Sequence, residues 1–205
     1  MQRRDWTKFD TCCEAQGKLL TEIEGGDMKG IVMNVLADMV EKQFGMPQWN
    51  AILSEAGSEG AYTAAARYDD QELLDLVGII SRRQSMPIED LVFAFGEFMF
   101  PAFYERYPAL IDAEVDFLPL LASIDSVIHV EVNKLYPGAV TPAFEEEWRN
   151  DSALMLRYRS QRKMCKLAEG LISGAAKHFN TTYALQHEPC MHRGADHCGL
   201  LVTLT

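Results

Sequence analysis

The 205-residue chain changes its hydrophobic period after its first two thirds, and that change limits the folds open to it. Ile31, Val32, Val35, Leu36, Met39, Val40 and Phe44 recur along one helix face, and Gly45 ends the run. A second helix, 47–56, begins on Pro47 and stops before Gly57. Residues 57–69 are rich in Gly, Ala, Ser and Tyr and read as an irregular connection. A third helix, 70–84, carries Leu73, Leu74, Leu76, Val77 and Ile80, and a fourth, 87–107, is interrupted or kinked at Pro101. The fifth, 116–136, has Pro119 in its first turn and closes at Pro137-Gly138. Its stripe is Leu120, Leu121, Ile124, Val127, Ile128, Val132 and Leu135, with His129 at the edge.

Beyond that point the pattern alternates. Residues 153–160 read as a strand, 162–179 as a helix, and 181–187 and 198–205 as two further strands joined by a polar loop. Helices first, then an antiparallel sheet with one covering helix, is an α+β fold. Residues 1–27 are polar, with poor periodicity across 6–23, and read as an N-terminal extension of unknown role. The folded unit is expected over 28–205, with a helical part to about 110 and an α/β part from about 111.

Nineteen Lys and Arg against thirty Asp and Glu give a net charge of −11. A chain so acidic repels phosphate backbones and anionic bilayers, so neither nucleic acid nor membrane is an expected partner. No apolar run reaches the roughly 18 residues of a membrane-spanning helix. The basic residues near the N-terminus precede no apolar segment of a secretory signal, so a cytoplasmic protein is expected. The five cysteines are Cys12, Cys13, Cys165, Cys190 and Cys198. An odd number, with three near the C-terminal end, fits metal or redox chemistry in a reducing compartment better than a disulfide framework.

Two constellations carry chemistry. On a strand, Tyr158 and Ser160 share a face and Arg162 follows where the strand ends. Two hydroxyls and a guanidinium form a donor cluster suited to carboxylates, although a polar sheet edge has the same composition. His129 beside an apolar stripe is ordinarily a hydrogen-bonded core residue. A neutral imidazole on a rigid helix is also a good axial ligand for a buried metal.

Taken in order, Met28-Lys-Gly-Ile-Val-Met-Asn, then His129-Val-Glu-Val-Asn-Lys-Leu-Tyr-Pro-Gly-Ala-Val-Thr-Pro142, then Tyr158-x-Ser160-x-Arg162, then Ala168-Glu-Gly-Leu-Ile-Ser-Gly-Ala-Ala resemble the bacterial H-NOX family. These are haem–nitric oxide/oxygen-binding domains related to the sensor domain of soluble guanylate cyclase. The resemblance runs from Met28 to Thr205. It implies haem b held between the two parts, with His129 as proximal iron ligand. Tyr158, Ser160 and Arg162 would clamp the propionates, and Pro142 would pack against the porphyrin and bend it. Oxygen-binding relatives carry a tyrosine on the helix after the propionate motif. Leu167 stands at the matching position, which implies a nitric oxide sensor that excludes O₂. Tyr62 or Tyr68 is the alternative source of a donor. The resemblance also implies that nitric oxide weakens the bond from iron to His129. The resulting shift would regulate a separate signalling enzyme, a sensor histidine kinase or a cyclic-di-GMP enzyme. The chain itself carries no phosphate-binding glycine loop, kinase, cyclase or DNA-binding motif and is expected not to be an enzyme.

A second signal lies in His187-x2-Cys190-x7-Cys198, between two expected strands. Thiolates and imidazoles are the ligands zinc prefers, and Cys165 can be the fourth. On spacing alone His192 or His197 could replace His187. A subset of H-NOX proteins has a similar zinc-binding cluster that links thiol oxidation to signalling, and by that resemblance the ligands are Cys165, His187, Cys190 and Cys198. Cys190–Cys198 also resembles the end of V4R-type domains, so a zinc-stabilised small-molecule-binding module without haem is the alternative. A haem peroxidase is disfavoured, because no distal His/Arg pair is evident.

Overall fold

The computed structural model describes residues 26–111 and 115–205. The expected extension, its helix over 6–23, and Cys12 and Cys13 lie outside the described residues, apart from 26–27. A short strand β1 (Asp27–Lys29) leads into helix α1 (Gly30–Phe44). Helix α2 (Met46–Ala56) has Pro47 in its first turn and ends at Gly57, whose left-handed conformation caps it. The 57–69 connection closes with strand β2 (Arg67–Asp69), antiparallel to β1. Helix α3 (Asp70–Gln84) starts on the Asp69 side chain, which accepts the Gln71 N–H at 2.8 Å. Helix α4 (Ile88–Arg106) runs through Pro101.

The single long helix expected over 116–136 is three pieces. They are α5 (Phe117–Ala122), a π-turn over Ile124–Ile128, and α6 (His129–Leu135). Ser123 explains the break. Its hydroxyl donates back to the Leu120 carbonyl at 2.8 Å, and its own carbonyl accepts from both Val127 and Ile128. That competition with the regular ladder loosens the winding by one residue.

The second half is a four-stranded antiparallel sheet in the order β3-β4-β6-β5, covered by helix α7 (Cys165–His178). Strands β4 (Ala153–Arg159), β5 (Tyr183–His187) and β6 (Cys198–Leu204) fall within the expected segments. Strand β3 (Ala143–Arg149) was not expected, because Glu145-Glu146-Glu147 shows no apolar alternation. It is an edge strand held by ladder bonds to β4 and by cross-strand pairs such as Glu145–Arg159 at 3.1 Å. Opposite residues of β4 and β6, Leu154 with Val202 and Leu156 with Leu200, are fully buried under α7. Each such side chain contributes about 1.5–3 kcal/mol of burial.

The two halves have separate cores. Residues of α1 to α4 form one, and α5, the sheet and α7 form the other. Helices α4 and α7 join them by backbone contact. A Cβ on Gly170 would lie 2.1 Å from the Phe93 carbonyl oxygen, and one on Gly96 would lie 2.4 Å from that of Leu167. Gly170→Ala must therefore push the helices apart. It should lower stability by about 1–3 kcal/mol, as overpacking does, read as a fall of several degrees in thermal unfolding. An unchanged midpoint would contradict the close contact.

Candidate functional site

An apolar cavity of about 300 Å³ opens between the halves. That volume suits an organic ligand. Its walls come from α1 (Ile31, Val32), α4 (Met99, Phe100, Phe103), α5, α6 and α7 (Leu167, Leu171, Ile172). His129, Pro142, Tyr158, Ser160 and Arg162 all line it, as does Leu167. Tyr62 and Tyr68 do not; Tyr62 is bonded instead to Glu72 and Ser58, at 2.7 and 2.9 Å.

The first residue of α6 is His129, and its ring is largely buried. Its Nδ1 lies 2.6 Å from Asp125 Oδ1, and among the described residues Nε2 has no partner. Burial lowers its pKa, with Asp125 opposing, so the imidazole is neutral near pH 7 and offers a lone pair. The ring lies 6.0 Å from that of Phe144, which lies 5.1 Å from that of Tyr158.

Strand β4 ends at Arg159, so Ser160 and Arg162 stand in the turn after it rather than along the strand. Ser160 Oγ accepts the Arg162 N–H at 3.2 Å and shapes that turn. Tyr158 is buried, and burial holds its phenol well above the ordinary range, with Ser160 opposing. It remains a neutral donor. The Arg162 guanidinium is already engaged. Nε donates to Asp70 Oδ2 at 2.6 Å, and the terminal nitrogens donate to the Val140 and Asp27 carbonyls, both at 2.8 Å. It ties the first turn of α3, the β1 segment and the loop before β3 to the sheet, and it has N–H groups left for a carboxylate.

Three features were not anticipated from sequence. Asp125 is one; a carboxylate one helical turn before a candidate ligand was its visible signal. Lys29 is another, a buried ammonium that donates to the Ala65 and Pro137 carbonyls at 3.1 and 3.0 Å. The third is a hydroxyl–hydroxyl hydrogen bond between Tyr107, after α4, and Tyr136, after α6, both lining the cavity. Burial and that bond push Tyr136 up to about 12. Tyr104 also lines the cavity, its ring tilted against that of His178 with centroids 4.1 Å apart.

A second cluster lies between the start of α7 and the β5–β6 end of the sheet, on the face that α7 covers. Ligand atoms of Cys165, His187, Cys190 and Cys198 all fall within 4.8 Å of one another. His192 and His197 are used elsewhere, on the Lys163 carbonyl and on Asp196, each at 2.6 Å. His187 Nδ1 sits 2.6 Å from Glu169 Oε1, while its buried Nε2 has no hydrogen-bond partner. Burial disfavours the His187 cation, yet Cys190, Cys198 and Glu169 overcome that and push its pKa up to about 11. Four soft ligand atoms gathered this closely, one of them an imidazole nitrogen with no hydrogen-bond partner, fit a tetrahedral zinc ion. The Glu169–His187 pair is the carboxylate–imidazole support such ions use.

A helical half and a sheet half enclose an apolar cavity with one imidazole on its wall, an arrangement that suits an organic cofactor ligated by one nitrogen. The chain belongs to the haem-NO-binding family (HNOB), whose model matches residues 29–187. It is similar to an H-NOX protein from Shewanella oneidensis solved in the Fe(II)NO state, at 42% identity over 87% of this chain and 99% of that one, with a TM-score of 0.82. It is also similar to the Fe(II) unliganded H-NOX protein from K. algicida, at 31% identity over 87% and 97% of the two chains, TM-score 0.78. A mutant of T. tengcongensis H-NOX, at 20% identity over 87% and 98% with a TM-score of 0.78, shares the fold. None of the curated proteins matches the chain. H-NOX homologues bind haem and are sensors rather than catalysts. Among the described residues no helix is long and apolar enough to cross a membrane.

Arg162→Ala strands the Asp70 carboxylate in the interior. Breaking a buried pair in this way costs about 3–5 kcal/mol. Urea unfolding should show that loss, and adding Asp70→Asn should recover part of it. A neutral Arg162→Ala would contradict the buried pairing.

Proposed function

We propose that this chain is a haem-based nitric oxide sensor that excludes O₂ and regulates a separate signalling enzyme. The observation that carries the reading is the apolar cavity with one unpartnered imidazole nitrogen in its wall. Ferrous haem b, when bound, supplies an iron that coordinates diatomic gases. His129 Nε2 would hold that iron. Tyr158, Ser160 and Arg162 would take the propionate carboxylates through hydroxyl and guanidinium donors. Pro142 would press on the ring face. Leu167, Leu171, Ile31 and Val32 contribute no hydrogen-bond donor to the cavity. Stable O₂ binding calls for such a donor and nitric oxide does not, so this wall favours nitric oxide.

The output runs through α6. Tyr136 and Pro137, just past its end, bond to Tyr107 and Lys29 of the helical half. At its start, the Asp125 carboxylate bonds to strand β3. Release of the restraint at His129 Nε2 frees this strut to shift between two arrangements, which a partner can read. A sensor histidine kinase or a cyclic-di-GMP enzyme in trans is the partner the resemblance implies. The sensing unit is 28–205, with the helical part to about 110 on the distal side, and the chain is not itself an enzyme. Cys165, His187, Cys190 and Cys198 would hold zinc, which braces the β5–β6 hairpin and opens a possible second input through thiolate oxidation. Buried cysteines that form no disulfide among the described residues suit a reducing, cytoplasmic setting.

The test is the absorption spectrum of the reduced, haem-supplied protein. A Soret band that ignores air and shifts with nitric oxide is expected, and His129→Ala should abolish normal ligation. A stable O₂ adduct would overturn the exclusion of O₂ and turn attention to Tyr104, Tyr107 and Tyr136. Absence of a Soret band would favour the zinc-stabilised small-molecule module. Metal analysis should find zinc bound at the four-ligand cluster seen among the described residues, and a loss of one zinc per chain in Cys198→Ser; zinc retained in full in that variant would contradict the ligand set.

A further inference from the structure

His129 is held from behind by a single carboxylate. Asp125 Oδ1 meets the imidazole Nδ1 at 2.6 Å, and Asp125 Oδ2 accepts the Phe144 backbone N–H at 2.7 Å. Asp125 belongs to the π-turn Ile124–Ile128, and Phe144 is the buried residue of edge strand β3. One side chain thus joins the candidate iron ligand, the irregular turn before it and the sheet. Among the described residues, no Lys or Arg pairs with Asp125, so no cation draws its charge away from the imidazole.

We infer that Asp125 is a positioning residue that fixes the tautomer and donor strength of His129 and couples that imidazole to strand β3. The inference rests on the haem reading above and adds to it.

The physical case has three steps. An ionised carboxylate only accepts hydrogen bonds, and a neutral imidazole has a single N–H. The proton therefore sits on Nδ1, facing Asp125, and the lone pair sits on Nε2, facing the cavity. A carboxylate partner then makes the ring a stronger ligand than a neutral acceptor does, as second-shell carboxylates do at other metal-bound histidines. Finally, the same carboxylate spans two elements. Any displacement of His129 that keeps its Nδ1 bond pulls on the Phe144 amide. Any displacement that spares β3 must break the Nδ1 bond. Movement of the imidazole therefore either strains the sheet or loses the Nδ1 bond.

The π-turn contributes the geometry. Asp125 lies within it, four residues before His129, and from there one carboxylate reaches both the ring and the strand.

The test compares wild type with Asp125→Asn and Asp125→Ala, each as the full chain loaded with ferrous haem. Resonance Raman reads the iron–histidine stretching frequency, and spectroelectrochemistry reads the reduction potential. Both variants should shift that band to lower frequency and raise the potential, because a neutral or missing acceptor weakens the donor. Asp125→Asn should also lower the fraction of chains with histidine-bound iron, since its amide N–H can face Nδ1 and leave the proton on Nε2. Asp125 is about a third exposed, its side chain at 36%. Its replacement therefore leaves no core cavity, and circular dichroism checks the fold. Should Asp125→Ala unfold, the near-isosteric Asp125→Asn carries the test alone. Wild-type frequency and potential in folded, haem-bound variants would overturn the inference and leave the haem reading intact. A wild-type protein with no Soret band would overturn both.

Discussion

The backbone contact of α4 with α7 is what the rest of the molecule depends on. There the two cores meet without side chains between them, because Gly96, Gly170 and Gly174 leave room for none. The same two helices then line the cavity, α4 with Met99, Phe100 and Phe103 and α7 with Leu167, Leu171 and Ile172. A tight joint beside an apolar void is a demanding arrangement, since interiors otherwise pack to crystal density. Elsewhere the halves are held by polar pins instead. Arg162 with Asp70, Lys29 with Pro137 and Tyr107 with Tyr136 bridge them around the cavity. Directional bonds of this kind can be exchanged one at a time, whereas the glycine joint stays put.

The two candidate sites share a wall. Tyr158 on β4 stands directly opposite Cys198 on β6, and Arg162 is three residues before Cys165. The cysteine cluster therefore sits beside the strand and turn that present donors to the cavity, on the same face of the sheet. Its Glu169 support sits on α7, where Lys166 also bonds to it at 2.6 Å. Zinc bound there would brace the sheet half as a whole and not only the terminal hairpin. This arrangement gives thiolate chemistry a physical route to the cavity mouth.

Much of this was legible in the sequence, for identifiable reasons. Helices α1 to α4 and strands β4 to β6 announce themselves because each buries one face, and burial imposes a period. Strand β3 buries almost nothing after Phe144 and left no period to read. The break in the 116–136 helix turns on one Ser123 hydroxyl, a local bond with no pattern behind it. His129, Tyr158, Ser160 and Arg162 stand out by their chemistry and Pro142 and Leu167 by resemblance alone, and the structure brings all six to one cavity. The choice of His187 over His192 and His197 needed three dimensions, since spacing alone admits all three. Lys29, Tyr107 and Asp125 were missed because each acts across the fold on a residue distant in sequence or on a backbone amide.

The α6 segment is pinned to the helical half at one end and to the sheet at the other, and the proposed sensing of nitric oxide requires its release at His129. Amide hydrogen exchange of the ferrous, haem-loaded protein with and without nitric oxide tests it most directly. The account predicts faster exchange in α6 and at Phe144 with nitric oxide, while the α4 and α7 amides around Gly96 and Gly170 stay protected. Unchanged exchange in α6, or loss of protection that begins at the α4–α7 joint, would contradict it.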